Sequence, residues 1–343
     1  MKIIRVFFIL CICIPTLSAQ TGGDNTYEFL NLTNSARVTA LGNVLINSFD
    51  DDVNLAQQLP SLNHAGMNHQ FSVNFTNYYA GIKFGSLIYG LPSTKFENIS
   101  IGLQYFNYGD FTRTNEFGDV IGKFSAGEYA VYASTAMKID SLLYVGASLK
   151  AVYSHLDAYS SFGVLGDLSA TYSLKSGRIL ASVLMKNAGF QIKTYANKSE
   201  PMPFELVLGV STKLEHAPLR WSVSWAHLER WDLSYRNPDD PTIDPLTNEE
   251  IVVKYNTRDK IFSHIHIGGE FLFSKNFNVR LGYNFRRRQE LALDLYKHNV
   301  GLTWGFSMRV SKFHFNYARA AYHAIGPMHT FSVTSSLNNF KRK

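Results

Sequence analysis

Cysteine is almost missing from this chain: its 343 residues include only Cys11 and Cys13, both within the first twenty positions. Without that segment the chain has no thiol, which excludes a disulfide scaffold, a thiolate metal site and a cysteine nucleophile. Long apolar runs are also missing. From residue 20 onward no stretch approaches the roughly 18 consecutive apolar residues of a transmembrane helix. Charged residues make up only 17% of the chain, whereas soluble domains average roughly 25%.

The N-terminal segment has the organisation of a cleaved secretory signal, which we predict to cover residues 1–19. Lys2 and Arg5 precede an apolar stretch at 6–14, and small residues follow at 17–19. Neither cysteine is preceded by the small residues of a lipoprotein signal. Removing Lys2 and Arg5 lowers the formal net charge from +6 to +4. This excess is too small to indicate a nucleic-acid-binding surface, so we expect no nucleic-acid partner.

The rest of the chain is rich in aromatic residues, with 25 Phe and 19 Tyr in total, and it alternates with the two-residue period of β-strands. Apolar residues occupy every second position at 145–153, 221–225, 277–285 and 300–306. The intervening positions carry small or amide side chains rather than charges. Since the outer face of a soluble sandwich would be charged, this pattern predicts an all-β transmembrane antiparallel barrel with lipid outside.

We place fourteen strands along the chain, each long enough to cross a bilayer when tilted. They lie near 68–78, 80–90, 97–108, 124–138, 141–155, 161–174, 177–187, 203–214, 218–228, 261–273, 276–287, 296–306, 308–318 and 327–338, which gives a barrel domain over 68–340.

The connections differ in length on the two sides of this barrel. Those after even-numbered strands are tight, as at 139–140 and 274–275, whereas those after odd-numbered strands include 109–123, 188–202 and 229–260. Only the short first hairpin, at 77–80, departs from this rule. The asymmetry predicts a bacterial outer-membrane location with both termini periplasmic and the long loops extracellular.

Residues 20–67 lack strand alternation and suit helical turns, with Asp50 or Asp51 as an N-cap. Because a fourteen-stranded barrel is wide enough to need filling, we predict that this segment is a plug within the lumen. A disordered periplasmic tail is the alternative.

Several segments resemble PorQ-type barrels of the type IX secretion system, within the wider FadL-like and PorV-like group. They are TYEFLNL (26–32), SAR (35–37), ALG (40–42), DDVNLA (51–56), NYG (107–109), FSAGEY (124–129), QIKTY (191–195), HAPLR (216–220) and NFRRRQEL (284–291). One departure is the LPSL sequence at 59–62, where the plug of FadL-like barrels usually has Asn-Pro-Ala.

The resemblance implies a role without catalysis or cofactor in the cell-surface attachment complex. Such a barrel anchors a PorZ-like surface protein beside a sortase-like protease and a PorV-like barrel. The complex processes exported proteins and joins them to lipopolysaccharide.

Arg286, Arg287 and Arg288 form the densest charge cluster, at the outward end of the predicted eleventh strand. Strand alternation would direct Arg286 and Arg288 to the lumen and Arg287 outward. Guanidinium groups bind phosphate and carboxylate in a bidentate manner, so the cluster could contact lipopolysaccharide or an acidic partner. A solvated rim is the alternative.

The 229–260 loop is the candidate docking segment for a partner. Its prolines and acids, among them Asp239, Asp240, Glu249 and Glu250, keep a loop extended in water. It could equally be a solvated surface loop, and the spacing of its acids fits no EF-hand calcium site.

Two further patterns suggest chemistry only weakly. His264 and His266 share a strand face with Glu270, but with no third metal ligand identifiable a hydrogen-bonded pair in the lumen is favoured. His155 lies near Ser154 and Ser161, yet no nucleophile elbow or glycine loop accompanies them. We therefore expect no metal site and no enzyme.

The rival function is a FadL-like channel for hydrophobic small molecules. It would require a strand kink or lateral opening and an apolar pocket in the lumen. Inward positions such as Ser222, Ser224, Asn278, Gly282 and Asn284 are small and polar, which favours the anchor over the channel.

Overall fold

A computed structural model, which describes residues 25–174, 177–233, 256–291, 300–323 and 326–340, shows fourteen strands paired in chain order. The strands are β1 (Gln70–Asn77), β2 (Lys83–Pro92), β3 (Asn98–Thr114), β4 (Val120–Lys138), β5 (Leu143–Leu156), β6 (Tyr159–Leu174), β7 (Ile179–Lys193), β8 (Glu205–Lys213), β9 (Leu219–Trp225), β10 (Ile265–Phe271), β11 (Phe277–Asn284), β12 (Leu302–Val310), β13 (Phe313–His323) and β14 (Gly326–Ser336).

Every neighbouring pair is antiparallel, and β1 pairs with β14 to close the barrel. In β4 and β8 buried and exposed residues alternate along the strand, as the period-two pattern requires. Large apolar side chains on the outer face are exposed, among them Val73, Leu87, Leu149, Leu208 and Phe331. The predicted fold class, strand count and lipid-facing pattern are confirmed.

Strands extend into two predicted loops. β3 continues to Thr114 and β4 begins at Val120, so the predicted 109–123 loop shrinks to 115–119. β7 likewise extends to Lys193. The polar residues of these extensions resemble loop composition, but they still form ladder hydrogen bonds because two adjacent strands extend together.

Helical turns replace strand at two predicted strand ends. They are α3 (Thr257–Ser263) and α4 (Phe285–Leu291), whereas α1 (Ala36–Ala40) and α2 (Val53–Gln58) precede the barrel. A capping box between Asn256 and Asp259 begins α3, so residues 261–263 are helical rather than part of the tenth strand. None of the helices described is long and apolar enough to cross a membrane.

The segment before the barrel lies inside the lumen as a plug. We use "turn end" for the side on which β1 begins and β14 ends, and "loop end" for the opposite side. Near the loop end Thr26 donates its N–H to the Pro201 carbonyl at 3.0 Å, and near the turn end Ser61 bonds Ser169 and Thr171. The described plug therefore descends through the barrel, which excludes the disordered-tail alternative for these residues. The predicted signal, residues 1–19, lies outside the described residues.

The N-cap of α2 is Asp52, which accepts a hydrogen bond from the Asn54 N–H, rather than the predicted Asp50 or Asp51. Asp50 instead faces arginines across the lumen, and Asp51 bonds His64 at 3.1 Å. Each of the three successive aspartates could either form an ion pair or cap α2. The direction in which its side chain points decides which of the two it does.

Candidate functional site

Small inward residues of the barrel make room for the plug and bond its backbone. The N–H groups of Leu45 and Asn47 donate to the hydroxyls of Ser224 and Ser211, at 3.3 and 3.0 Å. A Cβ added to Gly282 would come within 2.1 Å of the Leu41 carbonyl carbon. These inward positions are therefore small and polar because they hold the plug, and their composition says little about cargo.

An ion network fixes the plug to one wall. Glu270 of β10 accepts hydrogen bonds from Arg37 of the plug, Arg220 of β9 and Arg280 of β11, all at 2.9 Å. Arg220 and Arg280 are the register partners of Glu270 on its two neighbouring strands. Asp50 of the plug also bonds Arg37 and Arg220, each at 2.6 Å. The plug and three strands thus share one cluster of alternating charge.

Electrostatics keeps the plug residues of this network charged. Burial raises the pKa of Asp50, but the charges of Arg37 and Arg220 outweigh it and hold the pKa well below its ordinary value. Burial lowers the pKa of Arg37, and the carboxylates of Glu270 and Asp50 more than offset that effect, so the pKa is raised. Both groups therefore remain ionised at neutral pH.

A cavity of about 820 Å³ lies between the plug and the barrel wall, towards the loop end. Apolar side chains from both sides line part of it, namely Leu30, Leu32, Val38 and Leu45 of the plug with Leu184 and Val207 of the wall. The apolar pocket that a channel requires is therefore present. The inward strand pattern reveals it only in part, because the rest of its apolar lining belongs to the plug and to loop segments such as the one that includes Met202 and Phe204.

Buried polar groups line the same cavity. Asn34 and Tyr132 are 3% and 4% exposed. The side-chain amide of Asn34 and the Tyr132 hydroxyl have no hydrogen-bond partner within the described part of the chain. Because buried polar groups are almost always paired in proteins, these two residues depart from the usual pattern.

The wall beside the cavity is interrupted between β7 and β8. β7 pairs with β6 as far as Lys193, but with β8 only as far as Lys186. A bulge lies at this point, where Asn187 adopts a φ of 58°. The segment that follows, which includes Pro201 and Pro203, cannot restore the ladder fully because proline lacks an N–H.

The cavity reaches the wall at this interruption. Met202, Pro203 and Phe204 line the cavity. Phe204 is also 39% exposed, whereas the next residue, Glu205, is buried and faces the lumen. The structure therefore contains the strand irregularity that a lateral route requires.

The arginine cluster lies on α4, not on a strand. Helical spacing replaces the predicted alternation. Arg286 lines the lumen cavity, as predicted, but Arg287 lines it too and Arg288 is exposed, so the assignment of Arg287 outward and Arg288 inward is wrong. The Arg286 guanidinium donates to Nε2 of His227, and Nδ1 of the same ring contacts Glu229. Asp239, Asp240, Glu249 and Glu250, predicted to contact a partner, lie outside the described residues.

The two histidines have separate roles. His264 caps α3, and its two ring nitrogens lie 2.7 and 3.2 Å from the carbonyls of Ala226 and Trp231. His266 faces the Asn43 carbonyl at 3.4 Å. Within the described residues no three His, Cys, Asp or Glu side chains are grouped to bind a metal.

The serines near His155 are hydrogen-bonded to tyrosines. Tyr27 bonds Ser161 at 2.5 Å, and Tyr195 bonds Ser154. Burial, aided by the nearby charge of Glu128, raises the pKa of Tyr195 to about 12, so its hydroxyl stays neutral. These serines hold the plug and the adjacent loop in place.

Solved outer-membrane barrels share this architecture. The CymD monoaromatic hydrocarbon channel superposes with a TM-score of 0.50 at 14% identity, over 87% of this chain and 97% of that one. A Pseudomonas aeruginosa FadL homologue gives 0.50 at 11% identity, over 89% and 98%. The Pseudomonas putida toluene transporter TodX gives 0.48 at 13% identity, over 94% and 98%.

At such low identity the likeness defines the fold. The chain is an outer-membrane β-barrel of FadL-like architecture, and its apolar outer face agrees with that location. No family model matches the sequence, and no curated protein matches it either.

Proposed function

We propose that this protein is a FadL-like outer-membrane channel that admits small, partly apolar molecules to its lumen. The cavity between plug and wall carries this proposal. Its volume of about 820 Å³ lies in the range of small-molecule sites, roughly 300–1,000 Å³. The apolar side chains of Val38, Leu45 and Val207 offer one part of a ligand a water-free surface.

The proposed route leaves the cavity through the interruption between β7 and β8. The plug fills the lumen towards the turn end, where Ser61 and Asn63 are buried against the wall. The bulge at Asn187, together with the upper part of β7, which has no ladder with β8 and meets the 200–203 segment through the side chains of Asn187 and Gln191, therefore offers the shorter path. CymD is itself a hydrocarbon channel, which agrees with this reading for a chain of the same fold.

Filling the cavity tests the channel directly. Val207 is buried and lines the cavity, whereas the next residue, Leu208, is 44% exposed on the outer face. Val207→Trp should abolish uptake of radiolabelled toluene by intact cells that lack other such channels, and Leu208→Trp should leave uptake unchanged. Wild-type cells that take up no more toluene than cells without the protein would end the proposal.

A second candidate function is the type IX secretion role that the PorQ-like segments imply. Here the barrel would anchor a PorZ-like surface protein, without catalysis, beside a sortase-like protease and a PorV-like barrel. The exposure of Arg288 on α4 at the loop end favours it, since guanidinium can bind lipopolysaccharide phosphate or an acidic loop.

An affinity pull-down from gently solubilised outer membranes separates the two functions. Recovery of a large surface protein together with a protease would support the anchor. Arg288→Gln should weaken that recovery without altering cavity binding, whereas Arg286 and Arg287 line the cavity and would confuse the result. A barrel that returns only small apolar molecules would favour the channel.

A further inference from the structure

A second pocket, of about 370 Å³, lies at the loop end between the start of the plug and strands β3 to β6. Four tyrosines and three glutamates line it, whereas no lysine, arginine or histidine of the described residues does. It adjoins the larger cavity, because Asn25 and Glu28 line both. The charge of this lining favours a cation, and the positions of the side chains decide which kind of cation.

Three of the tyrosines are anchored to one row of the barrel wall. The row consists of register partners on three successive strands, which are Glu128 of β4, Ser154 of β5 and Ser161 of β6. In that order, their side chains bond the hydroxyls of Tyr108, Tyr195 and Tyr27. Directly opposite residues of neighbouring strands have Cβ atoms roughly 5 Å apart. The three tyrosines therefore gather around one spot on the wall.

These tyrosines present mainly ring surface to the pocket, because their hydroxyls are bonded to the wall. The fourth tyrosine, Tyr159, begins β6 and is 58% exposed. The face of an aromatic ring attracts a cation, and clusters of such rings recognise quaternary ammonium groups. The pocket thus offers an organic cation apolar contact and electrostatic attraction together.

Glu128 is the buried charge of the pocket. It is only 4% exposed, and the Tyr108 hydroxyl donates to it at 2.7 Å. No cationic side chain of the described residues pairs with Glu28, Glu128 or Glu200. Since buried charges are normally paired, a counter-charge for Glu128 has to come from outside the described residues.

The exposed carboxylates lie beside the same tyrosines. Glu28 follows Tyr27 in the plug, and the backbone N–H of Glu200 donates to Gln191, which donates in turn to Ser161. Burial raises the pKa of Tyr27, and the nearby charges of Glu128 and Glu200 raise it further. The negative charge is therefore concentrated where the tyrosine rings meet.

A metal ion suits this arrangement poorly. Within the described residues no three His, Cys, Asp or Glu side chains are grouped to bind a metal. Both carboxylate oxygens of Glu28 already accept hydrogen bonds, from the amides of Asn25 and Asn31 at 2.9 and 3.0 Å. The lone pairs are partly used while the charge remains, which favours a cation held by charge and ring surface rather than by coordination.

We propose that this pocket binds a quaternary ammonium group, with its positive charge beside Glu128 and its methyl groups against the tyrosine rings. The site lies next to the large cavity and not within it. It therefore adds a binding function to the proposed channel and does not depend on transport.

Two probes of equal shape test the site: choline and 3,3-dimethylbutan-1-ol, in which a carbon replaces the charged nitrogen. Saturation-transfer NMR follows the methyl singlet of each probe as it is titrated into the purified full-length protein at neutral pH. The detergent is a maltoside, since zwitterionic detergents carry quaternary ammonium groups of their own. Saturable binding is counted only above that of empty micelles.

The wild type should bind choline and not its neutral analogue. Glu128→Gln should weaken choline binding by roughly 10-fold or more, because it removes the buried charge. The matched control is Glu116→Gln, since Glu116 is an exposed loop-end glutamate outside the pocket, and it should leave the affinity unchanged. Tyr159→Leu should weaken binding by roughly 2- to 5-fold, whereas Tyr159→Phe keeps the ring and should not. If Glu128→Gln disturbs the barrel, the Tyr159 pair decides.

Four results would overturn the site. They are an absence of choline binding, equal binding of choline and the neutral analogue, equal losses in Glu128→Gln and Glu116→Gln, and displacement of choline by an equal concentration of calcium. The third would mean that choline senses only the general surface charge, and the fourth that the carboxylates coordinate a metal. None of these results would touch the channel proposal, which toluene uptake tests separately.

Discussion

Glu270→Gln should destabilise the folded barrel severely. Glu270 is 2% exposed and accepts hydrogen bonds from Arg37, Arg220 and Arg280. Glutamine has nearly the same shape but removes the negative charge, so three guanidinium groups would share only the carboxylates of Asp50 and Asp52. Removing one partner of a buried ion pair typically costs about 3–5 kcal/mol. This corresponds to a change of roughly 160- to 5,000-fold in the unfolding equilibrium constant.

Equilibrium unfolding in urea, followed by tryptophan fluorescence in lipid vesicles, measures this loss. Glu215→Gln is the matched control, because Glu215 pairs with Arg178 in a turn where both side chains are 52% exposed. An exposed pair contributes at most about 1 kcal/mol. Equal changes in the free energy of unfolding for the two variants would refute the structural importance of the network.

A double-mutant cycle separates the interaction of plug and wall from the properties of each side chain. Arg37→Met leaves Glu270 with only Arg220 and Arg280, and Glu270→Met leaves Arg37 with only Asp50 and Asp52. Each single variant loses the Arg37–Glu270 interaction in full, whereas the double variant loses it only once. The double variant should therefore be less destabilised than the sum of the single variants, by roughly 0.5–3 kcal/mol. Additive losses would mean that Arg37 does not hold the plug through Glu270.

Two further predictions concern the seat of the plug. Gly282→Val should displace the plug and lower stability, because its Cβ would lie within 2.1 Å of Leu41. Gly269→Val should be tolerated, since a Cβ there meets only Leu219 at 4.0 Å. Heat-modified gel mobility measures both variants, and equal mobility would contradict the close approach of Gly282 to the plug. Asp50 has a folded pKa below its ordinary value of 3.8, so its stabilisation should be complete above about pH 5 and be lost as the pH falls through 3.8 towards the folded pKa. The stability difference between the wild type and Asp50→Asn should accordingly stay constant from neutral pH to about pH 5 and shrink in stronger acid, and a difference that declines near neutral pH would contradict the pairing.

The barrel could be predicted from the sequence because one physical requirement repeats along it. Each crossing strand must place apolar side chains towards lipid at every second residue, so Leu281 and Tyr283 face outward while Arg280 and Gly282 face inward. Strand ends were harder to predict, because they depend on local competition. Residues 285–291 continue a strand-like pattern but fold as α4, since β12 begins only at Leu302 and offers no ladder partner beyond Tyr283.

The ion network was missed although the sequence carries a signal for it. Arg220, Glu270 and Arg280 are isolated charges at inward positions of three successive strands, and charges are expensive in a membrane protein unless they are paired. Comparing the registers of the three strands would have shown that these charged residues are neighbours. Arg37 could not have been assigned in this way, because no period relates a plug residue to a wall residue.

The small polar lumen residues lead to the opposite functional conclusion once the plug is in place. Read alone, Ser222, Ser224 and Gly282 describe a polar channel and disfavour an apolar cargo. In the structure Ser224 bonds the plug backbone and Gly282 admits Leu41, so these residues are already occupied. The surface open to a ligand is shared between plug residues such as Leu30 and Val38 and wall residues such as Leu184 and Val207. In a plugged barrel the small polar inward residues therefore report the fit of the plug, and substrate chemistry has to be derived from the plug together with the wall that faces it across the cavity.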